Sequence, residues 1–197
     1  MIDLDAAFAP RFFEPREVFL NSLRAEVEAM LKKELAGVRS AGMQVQSRVK
    51  LKVSAQKKDY SRSGRMHDLL GLRIVTMNSS QFDLVEKLLL ALALEKEMEF
   101  VTEEDQFKER RALGYRAHHY NFSLPKSCWR SLHEHAGLEV QVTSYSWFLL
   151  GEIMRAKHYK TRPASPKEVK VLKSLEAKAL SFDSALAMLE LDEDSPS

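Results

Sequence analysis

The stretch Leu69-Leu70-Gly71-Leu72-Arg73-Ile74-Val75-Thr76-Met77, an apolar run broken only by Arg73 and Thr76, constrains this chain more than any other feature. A short run of this kind, entered from the polar side at Asp68, predicts a central strand covered on both faces, and a strand so covered needs helices packed on its sheet. It is far too short to cross a bilayer, and no other stretch approaches the 18 apolar residues that a membrane span requires. The N-terminus, Met1-Ile2-Asp3-Leu4-Asp5, is acidic where a signal peptide would be basic. The chain is expected to be cytoplasmic, without a membrane partner, and its single cysteine, Cys128, suits a reducing compartment.

The rest of the chain supplies the sheet and its cover. Helical spacing of Phe19, Leu23, Val27, Met30 or Leu31, and Leu35 predicts a helix from Pro15 to about Ala36, stopped by Gly37. From Met43 to Val53 the period changes to two: Met43, Val45, Val49, Leu51 and Val53 alternate with Gln44, Gln46, Arg48, Lys50 and Lys52, a half-buried strand with a basic face. Ser54 to Gly64 reads as a short helical turn and a loop. Ser79 or Ser80 is expected to cap a helix from Gln81 to about Glu97, buried along Phe82, Val85, Leu88, Leu89 and Leu92. After a charged loop, His119–Leu124 and Leu138–Thr143 alternate as two more strands. Tyr145 to Lys160 is expected to be helical, Thr161 to Pro166 a linker, and a final helix carries the seam Leu172, Leu175, Ala179, Phe182, Leu186, Leu189 before an acidic tail.

Four strands and four helices in this order predict an α+β fold, a mixed β-sheet flanked by helices. The expected organisation is an N-terminal helical segment over 1–42, a central domain over 43–160, and a C-terminal helix and tail over 161–197. The terminal seam covers fewer than three heptads, so it is expected to dock on the domain or to join a second copy in a homo-oligomer.

Composition (45% hydrophobic, 29% charged) excludes wholesale disorder, a collagen repeat and a disulfide scaffold. Charge is more informative in its distribution than in its total. Between Arg48 and Arg73 eight Lys/Arg stand against Asp59 and Asp68, a local excess of six positive charges in a chain whose net charge is +2, so the remainder is acidic. Such a field attracts phosphates, of a nucleotide or of a nucleic-acid backbone, unless it is merely a solvated basic face.

Two acids stand out. Asp68 adjoins the apolar run, and Glu139 is the polar position between Leu138 and Val140. If their strands are neighbours, the two carboxylates and substrate phosphate oxygens can hold Mg²⁺ at one sheet edge, beside a basic strand that neutralises phosphate. These are the minimal parts for phosphoryl or nucleotidyl transfer. Spacing alone leaves the plainer alternative open, an exposed strand glutamate and a turn aspartate.

Arg48-Val49-Lys50, Ser54 and Lys58, Asp68-Leu69-Leu70-Gly71-Leu72-Arg73-Ile74, Gly114-Tyr115-Arg116-Ala117-His118-His119, Glu139-Val140-Gln141-Val142-Thr143, and Glu152 followed by His158-Tyr159-Lys160 occur in this order. Together these blocks, over about Val45 to Lys160, resemble the RelA/SpoT-type alarmone synthetase domain. The resemblance implies a nucleotidyltransferase-like synthetase fold and a Mg²⁺-dependent pyrophosphokinase that moves the β,γ-diphosphate of ATP to the ribose 3′-hydroxyl of GDP or GTP. On it, Arg48 packs on the ATP base while Lys50, Ser54 and Lys58 hold its phosphates. Asp68 ligates Mg²⁺, and Glu139 completes the metal site or helps take the 3′-hydroxyl proton. Tyr115 stacks on the acceptor base, with Lys108 and Arg111 as phosphate clamps, His119 on phosphate or ribose, and Gln141 orienting its neighbours. His118, on the apolar parity, is expected to be a core histidine.

The chain also departs from the family. Leu113 stands where an asparagine is common, Arg111 where a lysine is, and Thr143 where an arginine is favoured; no motif places a second arginine opposite Arg48 on the ATP base. Three readings follow: a single-domain small alarmone synthetase; a toxin-like relative acting on the tRNA 3′ end or an adenine nucleotide, with a neutralising antitoxin protein as partner; and a non-catalytic nucleotide- or RNA-binding module. Retention of both Asp68 and Glu139 argues against the third.

Overall fold

A computed structural model describes residues 10–36, 44–49, 66–105, 116–124, 136–156 and 164–191. Helix α1 (Pro10–Glu34) leads into β1 (Gln44–Val49) and β2 (Met66–Thr76); a short 3-10 turn (Ser79–Gln81) opens α2 (Phe82–Glu95), followed by β3 (Phe100–Asp105), β4 (His118–Ser123), β5 (Ala136–Ser144), α3 (Tyr145–Ala156) and α4 (Pro166–Leu191). The expected α+β class is the observed one. The five strands lie in the order β1-β2-β5-β4-β3, with β2 and β5 parallel and every other neighbouring pair antiparallel.

The apolar run forms β2, as predicted, and Leu69, Leu70, Leu72, Ile74 and Val75 are sealed, but the expected cover on both faces is incomplete, since Gly71 and Arg73 are half-buried on the polar side. One sheet face, with Leu70, Leu72, Ile74, Leu138, Val140, Val142 and Phe122, packs against Leu20, Leu23, Val27 and Leu31 of α1 and Val85, Leu89 and Leu92 of α2 in a single core. Residues three and four apart supply the inner stripe of each helix, so each presents one apolar side to the flat sheet. A smaller cluster, Trp147, Leu150 and Ala179, joins α3 to α4.

Several boundaries differ from the sequence reading. Helix α1 begins earlier than Pro15. Asn78, and neither serine, caps the turn before α2, its side chain accepting from Ser80 N–H at 2.9 Å. Helix α2 stops at Glu95, before the expected Glu97, which takes the left-handed conformation (φ 55°) while Met98 N–H bonds back to Ala93 C=O, a Schellman-type ending. The charged loop expected before β4 contains a fifth strand, β3. Its side chains Thr102 and Glu103 are exposed because it is a sheet edge, where polar residues are tolerated and discourage further pairing.

Helix α4 also corrects its predicted seam. Leu172 and Ala179 are buried, but Phe182 and Leu189 are 52% and 62% exposed, and Asp183 takes the inward position at 2%. A capping box opens the helix: Ser165 N–H donates to Glu168 Oε2 at 2.8 Å and Glu168 N–H to Ser165 Oγ at 3.3 Å. The expected helical turn at 54–64, and the segments around Cys128, His133 and His135, lie outside the described residues.

Candidate active site

On the sheet face away from the core, cross-strand register gathers the polar residues into two rows. Arg48 pairs with Gly71, Gly71 with Glu139, and Glu139 with Asn121, so these four lie in line across four strands. The next row is Gln46, Arg73, Gln141 and His119. Alternation within each strand puts both rows on one side. A Cβ on Gly71 would lie 3.5 Å from the Arg48 carbonyl and 3.7 Å from its guanidinium, ordinary contact distances, which shows that the Arg48 side chain runs over the glycine.

Glu139 is where the rows meet. His119 Nδ1 lies 3.2 Å from its Oε1, and the Gln141 amide donates to its Oε2 at 2.7 Å. Arg73 fixes that amide, donating from Nε (3.1 Å) and Nη2 (2.8 Å) to Gln141 Oε1. Because a guanidinium only donates, the Gln141 oxygen must face it and the NH₂ must face Glu139. Arg73 also lies over the Phe148 ring of α3 (5.8 Å) and reaches Glu152 (3.5 Å), tying that helix to the polar face.

Burial pushes the Glu139 carboxyl up, and His119, then Gln141, pull it down; Asp68 pushes it up again as a like charge. The balance lies below the ordinary value. Glu139 is therefore held ionised, with two lone-pair directions still open beyond those used by His119 and Gln141. Pairing of β2 with β5 is irregular between Met66 and Leu70, where the strict alternation of β2 lapses, and Asp68 sits in that stretch, 7% exposed.

Two acids are a fitting donor set for Mg²⁺, which takes one or two carboxylates and completes its shell with water and phosphate oxygens. Among the described residues no cluster of three or more His, Cys, Asp or Glu side chains forms an all-protein metal cage. Asp68 and Glu139 would hold the ion.

Of the residues expected from sequence, Arg48, His119, Glu139 and Gln141 share the two polar rows, and Asp68 lies in the irregular stretch of β2 next to β5. His119 meets Glu139. Lys50, Ser54, Lys58, Lys108, Arg111 and Tyr115 lie outside the described residues. His118 has the predicted parity but is not a sealed core histidine: it stacks with Tyr120 and meets Phe82 edge-on, while Nε2 lies 3.3 Å from Asp105 and Nδ1 3.9 Å from Glu103. Arg73, like Glu152, is a residue that the motifs quoted but gave no role. Its face follows from strand register, which pairs Arg73 with Gln46 and Gln141, one row from Arg48 and Glu139.

The architecture is that of the small alarmone synthetases. Small alarmone synthetase 1 from Bacillus subtilis, solved bound to its product pppGpp, superposes with a TM-score of 0.73 at 19% identity, over 94% of this chain and 97% of that one. Small alarmone synthetase 2 from the same organism gives 0.73 at 19% identity over 94% and 99%, and a GTP pyrophosphokinase family protein from Streptococcus pneumoniae gives 0.71 at 19% identity over 92% of both chains. The sequence matches no family model and no curated protein.

Proposed function

We propose that this chain is a Mg²⁺-dependent pyrophosphokinase that transfers the β,γ-diphosphate of ATP to the ribose 3′-hydroxyl of GDP or GTP, forming (p)ppGpp and releasing AMP. The observation that carries this reading is the ionised Glu139, gripped by His119 and Gln141 beside Asp68, on a sheet face shared with Arg48 and Arg73. In the step, the acceptor 3′-oxygen bonds to the β-phosphorus, the bond from that phosphorus to the α,β-bridging oxygen breaks, and AMP leaves with the electron pair. Asp68 and Glu139 would hold Mg²⁺, which would supply neutralising charge to the phosphates. The 3′-hydroxyl proton passes to Glu139 or to water; a carboxylate with a lowered pKa is a weak base, which favours Glu139 as metal ligand and hydrogen-bond acceptor.

Arg48 and Arg73 are assigned to the ATP base, one from β1 and one from β2. This gives the base the second arginine that the motifs left unplaced, stacked as guanidinium planes stack on aromatic faces. Lys50, Ser54 and Lys58 are assigned to the ATP phosphates, and Tyr115, Lys108 and Arg111 to the acceptor, on the sequence resemblance. Self-association through α4 is part of the reading, supported by the exposed Phe182 and Leu189.

The test is to incubate the protein with Mg²⁺ and ATP labelled at the γ-phosphate, offering GDP, GTP, ADP, ATP and bulk tRNA separately. Label on a guanine nucleotide with AMP released is the expected result. Label on tRNA or on an adenine nucleotide would replace the acceptor with that of a toxin-like relative, and no transfer to any acceptor would overturn the enzymatic reading.

A further inference from the structure

Helix α4 docks with two carboxylates on its inner face, where apolar packing alone would call for leucine or alanine. Asp183 accepts from the backbone N–H of Ser79 at 3.1 Å, from the Ser79 hydroxyl and from Ser146 Oγ at 3.3 Å. Glu176, two turns earlier, places Oε1 3.7 Å from Arg116 Nη2, with side chains only 15% and 6% exposed. Taking carboxylates out of water is costly unless specific partners receive them, so these contacts fix an alignment more than they supply adhesion.

Arg116 is the better-held end of that alignment. Its guanidinium lies over the Trp147 ring at 5.5 Å, and Thr143 Oγ1 donates to its backbone carbonyl at 2.7 Å. Thr143 is the position at which the chain departs from the arginine favoured in the resembling family. Arg116 directly follows Tyr115 in sequence and stands three residues before His119, which contacts Glu139. Residue 116 is itself 5% exposed, so it acts on the course of the backbone and not on a nucleotide.

We propose that Glu176 of α4 and Thr143 of β5 are positioning residues for the acceptor side of the site, acting through Arg116, so that the C-terminal helix sets how the chain runs into β4. The proposal rests on the pyrophosphokinase reading for its kinetic consequence, but not for its structural one.

Glu176→Gln and Thr143→Val, which keep the shape of each side chain, are compared with wild type and with Lys178→Ala on the exposed side of the same helix. Each of the first two is expected to raise the KM for the guanine nucleotide about fivefold or more, as for loss of one buried polar contact, with the KM for ATP unchanged. Amide hydrogen exchange at Arg116, Ala117 and His118 is expected to quicken in both, with Lys178→Ala like wild type. Equal rises in both KM values, or none, would overturn the proposal. So would unchanged exchange at these amides, a readout that holds even for a protein that turns nothing over. Faster exchange in the variants of a wild type inactive with every acceptor would leave the positioning intact and sink the pyrophosphokinase reading alone.

Discussion

At the scale of single residues, Glu139 concentrates the polar chemistry of the sheet. Replacing Asp68 or Glu139 by alanine is expected to abolish transfer, measured as labelled product, while circular dichroism and melting temperature show a retained fold. The pH behaviour follows from the lowered carboxyl. Because its folded pKa lies below the unfolded value, Glu139 contributes stability that is present above the ordinary carboxylate range and is lost as pH falls through the lowered folded pKa. His119→Ala removes the largest lowering influence and leaves the burial, so the acid limb of the kcat/KM profile is expected to move to higher pH, with activity reduced about 10- to 100-fold as for other partners of metal-ligating groups. An acid limb that stays in place would show that His119 does not tune Glu139. Glu139, His119 and Gln141 were legible as types on the polar parity of their strands, and Asp68 by its place at the head of the apolar run. Arg73 was not, because an arginine inside an apolar run declares its face only when the neighbouring strands are known.

At the scale of elements, α4 shows why spacing and burial are different facts. The residues Leu172, Leu175, Ala179, Phe182, Leu186 and Leu189 keep a regular seam, yet the docked side turns toward Asp183 and leaves Phe182 and Leu189 in solvent. Leu172→Ala is expected to cost about 2–5 kcal/mol by cavity formation, whereas Phe182→Ala is expected to fall within about 0.5 kcal/mol in the folded monomer, both measured by denaturant unfolding. Asp183→Ala, which strips its partners at Ser79 and Ser146, is expected to cost about 1–3 kcal/mol. Equal losses at Leu172 and Phe182 would mean that the helix docks in another rotation. Strand β3 was missed for a related reason: an edge strand is solvated on most of its surface, so Thr102, Glu103 and Asp105 carry no strong alternation to read. The Phe100–Phe122 edge-to-face pair across β3 and β4 becomes visible only once the two strands are paired.

At the scale of the whole molecule, the sheet separates two tasks. One face is sealed by α1 and α2 around the core, and the other presents the two polar rows. The concentration of positive charge between Arg48 and Arg73 sets the sign of the field expected on a phosphate-bearing substrate, so the KM for ATP is expected to rise with ionic strength, and a KM indifferent to salt would count against electrostatic capture. By itself the sequence determined the α+β class, the apolar central strand, the polar parity of Arg48 on β1 and the residue types of the site, because hydrophobic period and side-chain chemistry are local properties written in order along the chain. Tertiary structure alone decided that β2 runs beside β5, that Gly71 stands between Arg48 and Glu139, and that Arg73 orients Gln141 toward Glu139. It also decided that α4 turns its acids inward. Register and helix rotation are set by contacts between residues far apart in the chain, and no local pattern encodes them.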